Sequence, residues 1–316
     1  MACKKLVTFD FVGRSYTLKM TKRSQFGNCN KVSKAKITYR NELNALSFPK
    51  FTAMDFNIFF TICYYASNHY KKYGMKKLIR SFKNEFKKDY DEKNDINFVK
   101  IKFDSLRIFM PQIKNKKRFF NEIYDFVKYK LRFVGVDRIR SILGQVDKGK
   151  FLPFFYEFDV DDEEELLRVK LTSYAYSLLN EFGNFMSFDM NEFCSFENKY
   201  TKTLFRLLKQ YENSNAYIDE KNPHIKAITM SKDEFKKFMD TPDNYESKDL
   251  ERKVIKPSIK EIKSKTSYFN GSTHKSYSIQ MIDYEKIFEE YEKKDNVIQR
   301  KRQNVKGFKF IFEKKI

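Results

Sequence analysis

The chain has 316 residues, a length that suggests about two domains of ordinary size. Lys and Arg number 63 against 42 Asp and Glu, and the formal net charge of +21 points to a polyanionic partner, either a nucleic acid or an anionic membrane surface. Hydrophobic residues make up 41% of the chain and aromatic residues 17%, which excludes a disordered polybasic chain.

Neither a membrane anchor nor a disulfide or zinc scaffold is expected. The longest nearly apolar run, residues 56–66, is about half as long as the roughly 20 residues of a membrane-spanning helix. The first residues include only brief apolar stretches, so a secretory signal is not expected and the cytoplasm is the expected compartment. The four cysteines have no C-x-x-C pair and are interpreted as reduced thiols: Cys3, Cys29, Cys63 and Cys194.

The first half of the chain predicts a basic arm followed by a helical core. Residues 1–37 are basic and lack sustained periodicity, which predicts an extended arm or short strands. From Thr52 apolar residues recur at spacings of three or four, which predicts a buried amphipathic helix with Thr52 as its N-cap. A short strand is predicted over 98–103, followed by helices near 104–110 and 116–131.

A β-hairpin, the wing of this first unit, is predicted to follow these helices. The β-prone runs 151–158 and 166–171 flank the acidic segment 159–165, which is interpreted as a solvated turn. A helix near 173–182 follows the hairpin.

The second half repeats the same order of elements. A helix is predicted over 197–212, then a short strand at 228–230 and a helix that opens at the capping box 231–234. The next helix is predicted over 247–263, and a hairpin with an Asn-Gly turn over 268–281. The order of helix, strand, two helices and hairpin therefore occurs twice.

These repeats predict an α+β fold of two tandem winged-helix domains, mainly helical with β-hairpin wings. The predicted divisions are a basic N-terminal arm at 1–37, a first winged-helix domain at 38–185 and a second at 186–316.

No segment compels an enzyme. Residues 144–151 match the spacing of a phosphate-binding P-loop at seven positions but place Phe151 where a metal-binding Ser or Thr is required. The three histidines, His69, His224 and His274, are far apart and have no metal-binding grouping. We therefore expect no catalytic residues, no metal and no cofactor.

The helix predicted over 247–263 has one apolar face and one basic face. Projected at about 100° per residue, the basic half carries Arg252, Lys253, Lys256, Lys260 and Lys263. Because a winged helix places its third helix in the DNA major groove, this face is predicted to contact DNA. An exposed Lys-rich helix of a Lys-rich protein is the alternative, and a kink is expected at Pro257.

A second basic group opens the equivalent helix of the first unit: Lys114, Lys116, Lys117 and Arg118. Helix N-termini and the charged ends of Lys and Arg suit phosphate oxygens, so this group is predicted to contact the DNA backbone. Lys275 is the corresponding candidate on the second wing. For each of these residues a solvated charge is the alternative.

Two blocks of the second half follow the pattern of a known family. Residues 196–211, FENKYTKTLFRLLKQY, are similar to its Ser-Lys-Tyr, Leu-Tyr and Leu-Leu-Lys helix, with Asn198 where Ser is common. Residues 249–262, DLERKVIKPSIKEI, resemble its Val-Ile-x-Pro-Ala-x-x-Glu-Ile helix, with Ser258 at the Ala position. On these blocks the chain resembles the iteron-binding plasmid replication initiators of the RepA, RepB and RepE type.

This resemblance implies binding to short direct repeats, the iterons, at a plasmid origin. The second domain would read bases and the first would grip the DNA backbone and support dimerisation. A monomer would open the origin and a dimer would repress its own promoter at an operator, with the host initiator ATPase and replicative helicase as partners. The reading residues implied on this chain are Lys248, Arg252, Lys253, Lys256 and Lys260.

Two other classes of protein stay open. A winged-helix transcriptional repressor would bind DNA without initiating replication. A metal-dependent nicking enzyme or recombinase would cleave supercoiled origin DNA. No membrane partner is expected.

Overall fold

The structure is a computed structural model and divides the chain into two compact units, Met1–Ser195 and Phe196–Ile316. It describes residues 6–11, 14–19, 35–46, 48, 50–74, 78, 96–136, 152–161, 163–179, 183–214, 222, 224–268, 279–288 and 304–314. In this part of the chain no helix is both long enough and apolar enough to cross a membrane.

The first unit follows the predicted order of helix, strand, two helices and hairpin. Its described elements are β1 (Leu6–Phe11), β2 (Arg14–Lys19), β3 (Lys36–Arg40), a 3-10 helix (Asn41–Ala45), α1 (Ala53–Tyr73), β4 (Phe98–Lys102), α2 (Phe103–Arg107), α3 (Lys116–Tyr129), a 3-10 helix (Leu131–Phe133), β5 (Gly135–Val136), β6 (Leu152–Pro153), β7 (Phe155–Asp161), β8 (Leu166–Leu171), α4 (Ser173–Leu178), β9 (Phe185–Asp189) and α5 (Met190–Ser195).

The strand pairing places the unit boundary later in the chain than the sequence predicted. β3 pairs antiparallel with β9, so the segment that follows residue 185 belongs to the first unit. α5, which follows directly, packs against α1. Within the segment predicted as a basic arm, β1 and β2 form an antiparallel hairpin, which matches the short-strand alternative.

α1 begins at the predicted N-cap and supplies the centre of the first core. The Asp55 N–H donates to Thr52 Oγ1 (3.2 Å), and the Thr52 N–H donates to Asp55 Oδ2 (2.6 Å), which completes a capping box. Phe59 and Phe60 are fully buried, and the Phe60 ring meets Phe193 of α5 edge-on at 4.9 Å between centroids. Aromatic pairs of this kind fill much of the interior, which accounts for the high phenylalanine content of the chain.

The predicted first wing is the hairpin of β7 and β8, which joins β4 in a three-stranded antiparallel sheet of order β4-β8-β7. The strands extend into the acidic segment that the sequence predicted as loop. Asp159 and Asp161 lie 2.5 and 3.7 Å from Arg168 Nη2 on β8. These cross-strand charge pairs stabilise a ladder that runs through the acidic residues.

The second unit is built on a helix, a strand, two helices and a hairpin. Its described elements are α6 (Lys199–Tyr211), β10 (Ile225–Ser231), α7 (Lys232–Met239), α8 (Ser247–Tyr268), β11 (Ile279–Phe288) and β12 (Val305–Lys314). α8 comprises a first turn (Ser247–Asp249), a π-helical stretch (Leu250–Ile255) and an α-helix (Lys256–Tyr268). The sheet order is β10-β12-β11, antiparallel throughout. The predicted capping box at Ser231 is present and opens α7.

Most of the second wing predicted over 268–281 lies outside the described residues. Among the described residues, α8 continues to Tyr268, where the hairpin was predicted to begin, and β11 pairs with β12. The turn predicted at 270–271 lies outside the described residues. Phe308, Phe310 and Phe312 alternate along β12 and are all fully buried, so this strand has a continuous apolar face.

Candidate nucleic-acid interface

α8 has the two faces that the sequence predicted. Its buried apolar side chains are Leu250, Val254, Ile255, Ile259 and Ile262. Its exposed side chains include Lys248, Arg252, Lys253, Lys256, Lys260 and Lys263. All six positions of this helix that were predicted to contact DNA therefore face solvent, while the opposite face packs into the second core. Their contact with DNA stays a prediction.

A π-helical stretch precedes Pro257 in a helix that remains continuous where a kink was expected. Proline has no N–H to donate to the carbonyl of Lys253, four residues earlier. The Lys256 N–H instead donates to the Glu251 carbonyl, five residues earlier, and the backbone stays in the right-handed helical region on both sides. The wider turn accommodates the missing hydrogen bond. It also turns residues five apart toward the same side of the helix.

Asp249 partners two of the exposed basic residues. Its Oδ1 lies 3.0 Å from Lys253 Nζ and 3.4 Å from Arg252 Nη2. The hydrogen bond from Lys253 is the largest cause that lowers the pKa of Asp249. Lys253 Nζ also lies 4.4 Å from the centre of the Tyr245 ring, a cation–π contact. Lys253 is thus held on two sides, whereas the Arg252 side chain is 69% exposed.

Glu251 joins α8 to the strand β11. Its carboxylate pairs with Lys256 at 2.8 Å and with Lys286 at 2.5 Å, and the Tyr284 hydroxyl donates to Oε1 at 2.8 Å. The hydrogen bonds from the two lysines lower the pKa of Glu251 to about 2, and burial, with the bond to Glu251, raises the pKa of Tyr284. The helical projection of the sequence did not pair Glu251 with Lys256, because residues five apart face different sides of an α-helix. The π-helical stretch brings these two side chains to the same side.

Glu261 connects the two sequence blocks that carried the family resemblance. Its side chain accepts hydrogen bonds from the backbone N–H groups of Glu197 (2.5 Å) and Asn198 (3.3 Å), at the start of α6. Asn198 in turn caps α6, because its Oδ1 accepts the Tyr200 N–H at 2.8 Å. The glutamate of one block therefore fixes α8 against the first turn of the other.

An open groove of roughly 530 Å³ runs between α8 and β11. Lys256, Lys260 and Lys263 line its helical side, and Asp283 and Tyr284 line the strand side. α8 and β11 thus present one predominantly basic surface at this groove.

In the first unit the predicted basic group lies at the start of α3. The Asn115 side chain caps this helix by accepting the Arg118 N–H at 3.0 Å. Lys114 and Lys117 are exposed, and Arg118 lies 3.8 Å from Glu122. Lys116 differs from these, because it is only partly exposed and its ammonium group pairs with Glu165 in the turn of the first wing.

This difference predicts unequal roles for two neighbouring lysines. We expect Lys117→Ala to weaken binding to repeat and scrambled duplexes alike and to reduce the salt slope, that of log Kobs against log[salt], by about 0.9, the value for one phosphate contact. Lys116→Ala should change that slope less, because Glu165 already neutralises the ammonium group. Titrations by fluorescence anisotropy at several KCl concentrations measure both slopes. Equal changes would contradict the distinction.

Ser258 also has a measurable consequence. Ser258 lies on the buried side of α8, and its hydroxyl has no hydrogen-bond partner in the described part of the chain. Since a buried polar group without a partner costs about 1–3 kcal/mol, we expect Ser258→Ala to raise the free energy of unfolding, by up to about 1 kcal/mol after loss of packing. Chemical denaturation measures the change. Ser264→Ala, at an exposed position of the same helix, is the control, and a lower stability for Ser258→Ala would contradict the expectation.

Several sequence predictions fall outside the described residues: Lys275, His274, Cys3, Cys29 and the P-loop-like segment 144–151. Of the other histidines, His69 lies with Nε2 2.5 Å from the Ile96 carbonyl oxygen, and His224 is exposed. Cys63 and Cys194 form no disulfide. Among the described residues no group of three or more His, Cys, Asp or Glu side chains is arranged to hold a metal ion.

Comparison with known proteins gives two family matches and several matches to solved structures. Residues 36–209 match the model described as "Initiator Replication protein, WH1", and residues 231–312 match "Initiator Rep protein, WH2". The chain is also similar to the "Crystal structure of Pi initiator protein in complex with iteron DNA", with a TM-score of 0.50 and 17% identity, over 90% of this chain and 99% of that chain. No curated protein matches. The matches confirm the predicted α+β fold of two winged-helix domains.

Proposed function

The chain belongs to the initiator replication protein family, whose WH1 and WH2 models match most of its length, and from this premise we propose that it is a plasmid replication initiator that binds iterons at an origin. The observation that carries the proposal is α8. This helix holds the family's Val-Ile-x-Pro block, buries its aliphatic face and presents six basic side chains to solvent. The DNA complex of the Pi initiator supports the choice of iterons as the ligand.

The second domain reads the repeat through α8. A helix of this kind enters the major groove, where Arg offers two donors to the N7 and O6 acceptors of guanine. Arg252 is the best-placed residue for that contact, because its guanidinium is exposed and is held only at 3.4 Å by Asp249. Lys248 and Lys260, on the same face, contact phosphates on either side.

The first domain grips the DNA backbone. The start of α3 presents backbone N–H groups and the exposed side chains of Lys114, Lys117 and Arg118 to phosphate oxygens. These contacts carry little sequence information and contribute mainly to affinity and register. The same domain supports the dimer that represses the promoter.

Origin opening follows from binding and needs no covalent chemistry, cofactor or metal. Several copies on adjacent repeats bend the neighbouring AT-rich duplex, and the added phosphate contacts offset the deformation energy. The opened origin is then handed to the host initiator ATPase and the replicative helicase. All of these steps take place in the cytoplasm.

The test is binding and replication with the repeats beside the gene. We expect the chain to bind a repeat duplex at least about 10³-fold more tightly than a scrambled duplex of equal length. A plasmid that carries only this gene and its flanking repeats should replicate in a permissive host. Binding without replication would favour the repressor, and divalent-metal-dependent cleavage of the supercoiled plasmid would favour the nicking enzyme.

A further inference from the structure

We propose that Glu251 determines specificity by withholding Lys256 and Lys286 from DNA phosphates. The inference rests on the proposed function and adds a residue that acts against the wrong DNA. Nonspecific binding depends almost wholly on phosphate neutralisation, so an acid that occupies two lysines lowers it selectively. The specific complex retains its base contacts and loses less.

The geometry shows how firmly the two lysines are held. Glu251 Oε1 lies 2.8 Å from Lys256 Nζ and Oε2 lies 2.5 Å from Lys286 Nζ. The Tyr284 hydroxyl donates to Oε1 at 2.8 Å, and the Glu251 side chain is only 17% exposed. The Tyr284 hydrogen bond restrains the carboxylate in addition to the two lysines, which reduces the entropy that an exposed ion pair normally loses.

The same carboxylate repels a phosphate that approaches these lysines. A phosphate that recruited Lys256 from Glu251 would leave two like charges close together at the groove between α8 and β11. Like-charge juxtaposition is a common means of excluding wrong partners. The two lysines lower the pKa of Glu251 to about 2, so the carboxylate is charged at neutral pH while it holds them.

Asp249 does not have the same arrangement. It pairs with Arg252 and Lys253, which lie on its own helix three and four residues away. Glu251 instead binds two side chains of β11, Tyr284 and Lys286, and only one of α8. The restraint that Glu251 exerts on the two lysines therefore depends on β11 as well as on α8.

The first experiment compares Glu251→Gln with Glu285→Gln. The amide keeps an acceptor for Tyr284 but no longer neutralises the lysines. We expect scrambled duplex to bind several-fold more tightly, with the salt slope steeper by about 0.9 for each lysine released, and the ratio of repeat to scrambled affinity to fall. Glu285→Gln removes the same charge from β11, but Glu285 and its partner Lys309, at 3.0 Å, lie on the opposite face of the strand from Tyr284 and Lys286. This control should therefore change the slope much less.

The second experiment remains informative if Glu251→Gln is poorly folded. Lys286→Met should leave the salt slope on scrambled duplex nearly unchanged, because Glu251 already occupies that lysine. Lys260→Met, at an exposed position of α8 with no ion pair to a described residue, should reduce the slope by about 0.9. Circular dichroism and thermal melting verify that each variant is folded.

The outcomes separate the inference from the proposed function. An unchanged slope for folded Glu251→Gln, or equal losses for Lys286→Met and Lys260→Met, would overturn the role of Glu251. A wild-type chain that binds repeat and scrambled duplexes equally would instead contradict the proposed function. In that case the slopes on scrambled duplex still decide whether Glu251 restrains the two lysines.

Discussion

Arg252→Ala is expected to weaken binding to the repeat duplex by roughly 1–3 kcal/mol, about 5- to 150-fold, and to change binding to scrambled duplex little. The loss is selective because the two N–H donors of the guanidinium recognise a guanine edge, a contact that only the specific complex makes. The side chain is 69% exposed and its contact with Asp249, at 3.4 Å, is long enough to yield to a base. Competition titrations with repeat and scrambled duplexes measure the ratio.

The matched control is Arg252→Lys, which keeps the charge and removes the planar fork. We expect this variant to bind scrambled duplex as the wild type does, with the same salt slope, and to lose most of the preference for the repeat. Equal losses on both duplexes for Arg252→Ala would remove Arg252 from the base-reading residues. A full preference in Arg252→Lys would assign it to phosphate contact alone.

Arg252 is singled out because the structure restrains several of its neighbours. Lys253 is held by Asp249 and lies over Tyr245, and Lys256 is held by Glu251. A side chain that must first leave an ion pair contributes less to DNA binding than its charge suggests. α8 therefore contributes less to affinity than its number of basic residues would suggest, and a larger share of recognition depends on Arg252.

The sequence predicted the elements whose signals are local. The predicted N-cap Thr52 begins α1 and the predicted capping box at Ser231 begins α7. The apolar and basic faces of α8 are found as projected. Two features depend on partners far along the chain and were not predicted. β9 joins the first unit by pairing with β3. β11 pairs with β12, and residues 289–304 separate the two strands, so no local turn signal in the sequence predicts this pairing.

The same distinction applies to the candidate site. Exposure of Arg252 follows from helical periodicity, a property of α8 alone. The roles of Glu251 and Glu261 do not, because one requires a π-helical spacing and contacts from β11, and the other requires α6. A motif reading marks Glu261 as part of a family block, and only the fold explains it as the acceptor for the start of another helix.

Gly307→Ala is expected to destabilise the second domain by at least about 1–3 kcal/mol, the usual cost of overpacking an interior position. Gly307 lies on the central strand β12, opposite Ser231 of β10 and Ile287 of β11. A Cβ there would lie 2.4 Å from the Met230 carbonyl oxygen and 3.3 Å from its carbon. Because these are backbone atoms, no side-chain rotation relieves the clash, and β10 must move away from β12.

The measurement is thermal unfolding of the full chain, where a shift of this size lowers the midpoint by several degrees. Lys306→Ala, at the adjacent exposed position, is the control and should shift stability by less than about 0.5 kcal/mol. β12 also pairs with β11, which places Tyr284 and Lys286 beside α8. The fraction of Gly307→Ala protein that can bind the repeat duplex should therefore fall together with the stability. An unchanged midpoint would contradict the close approach of β10 and β12 at Met230.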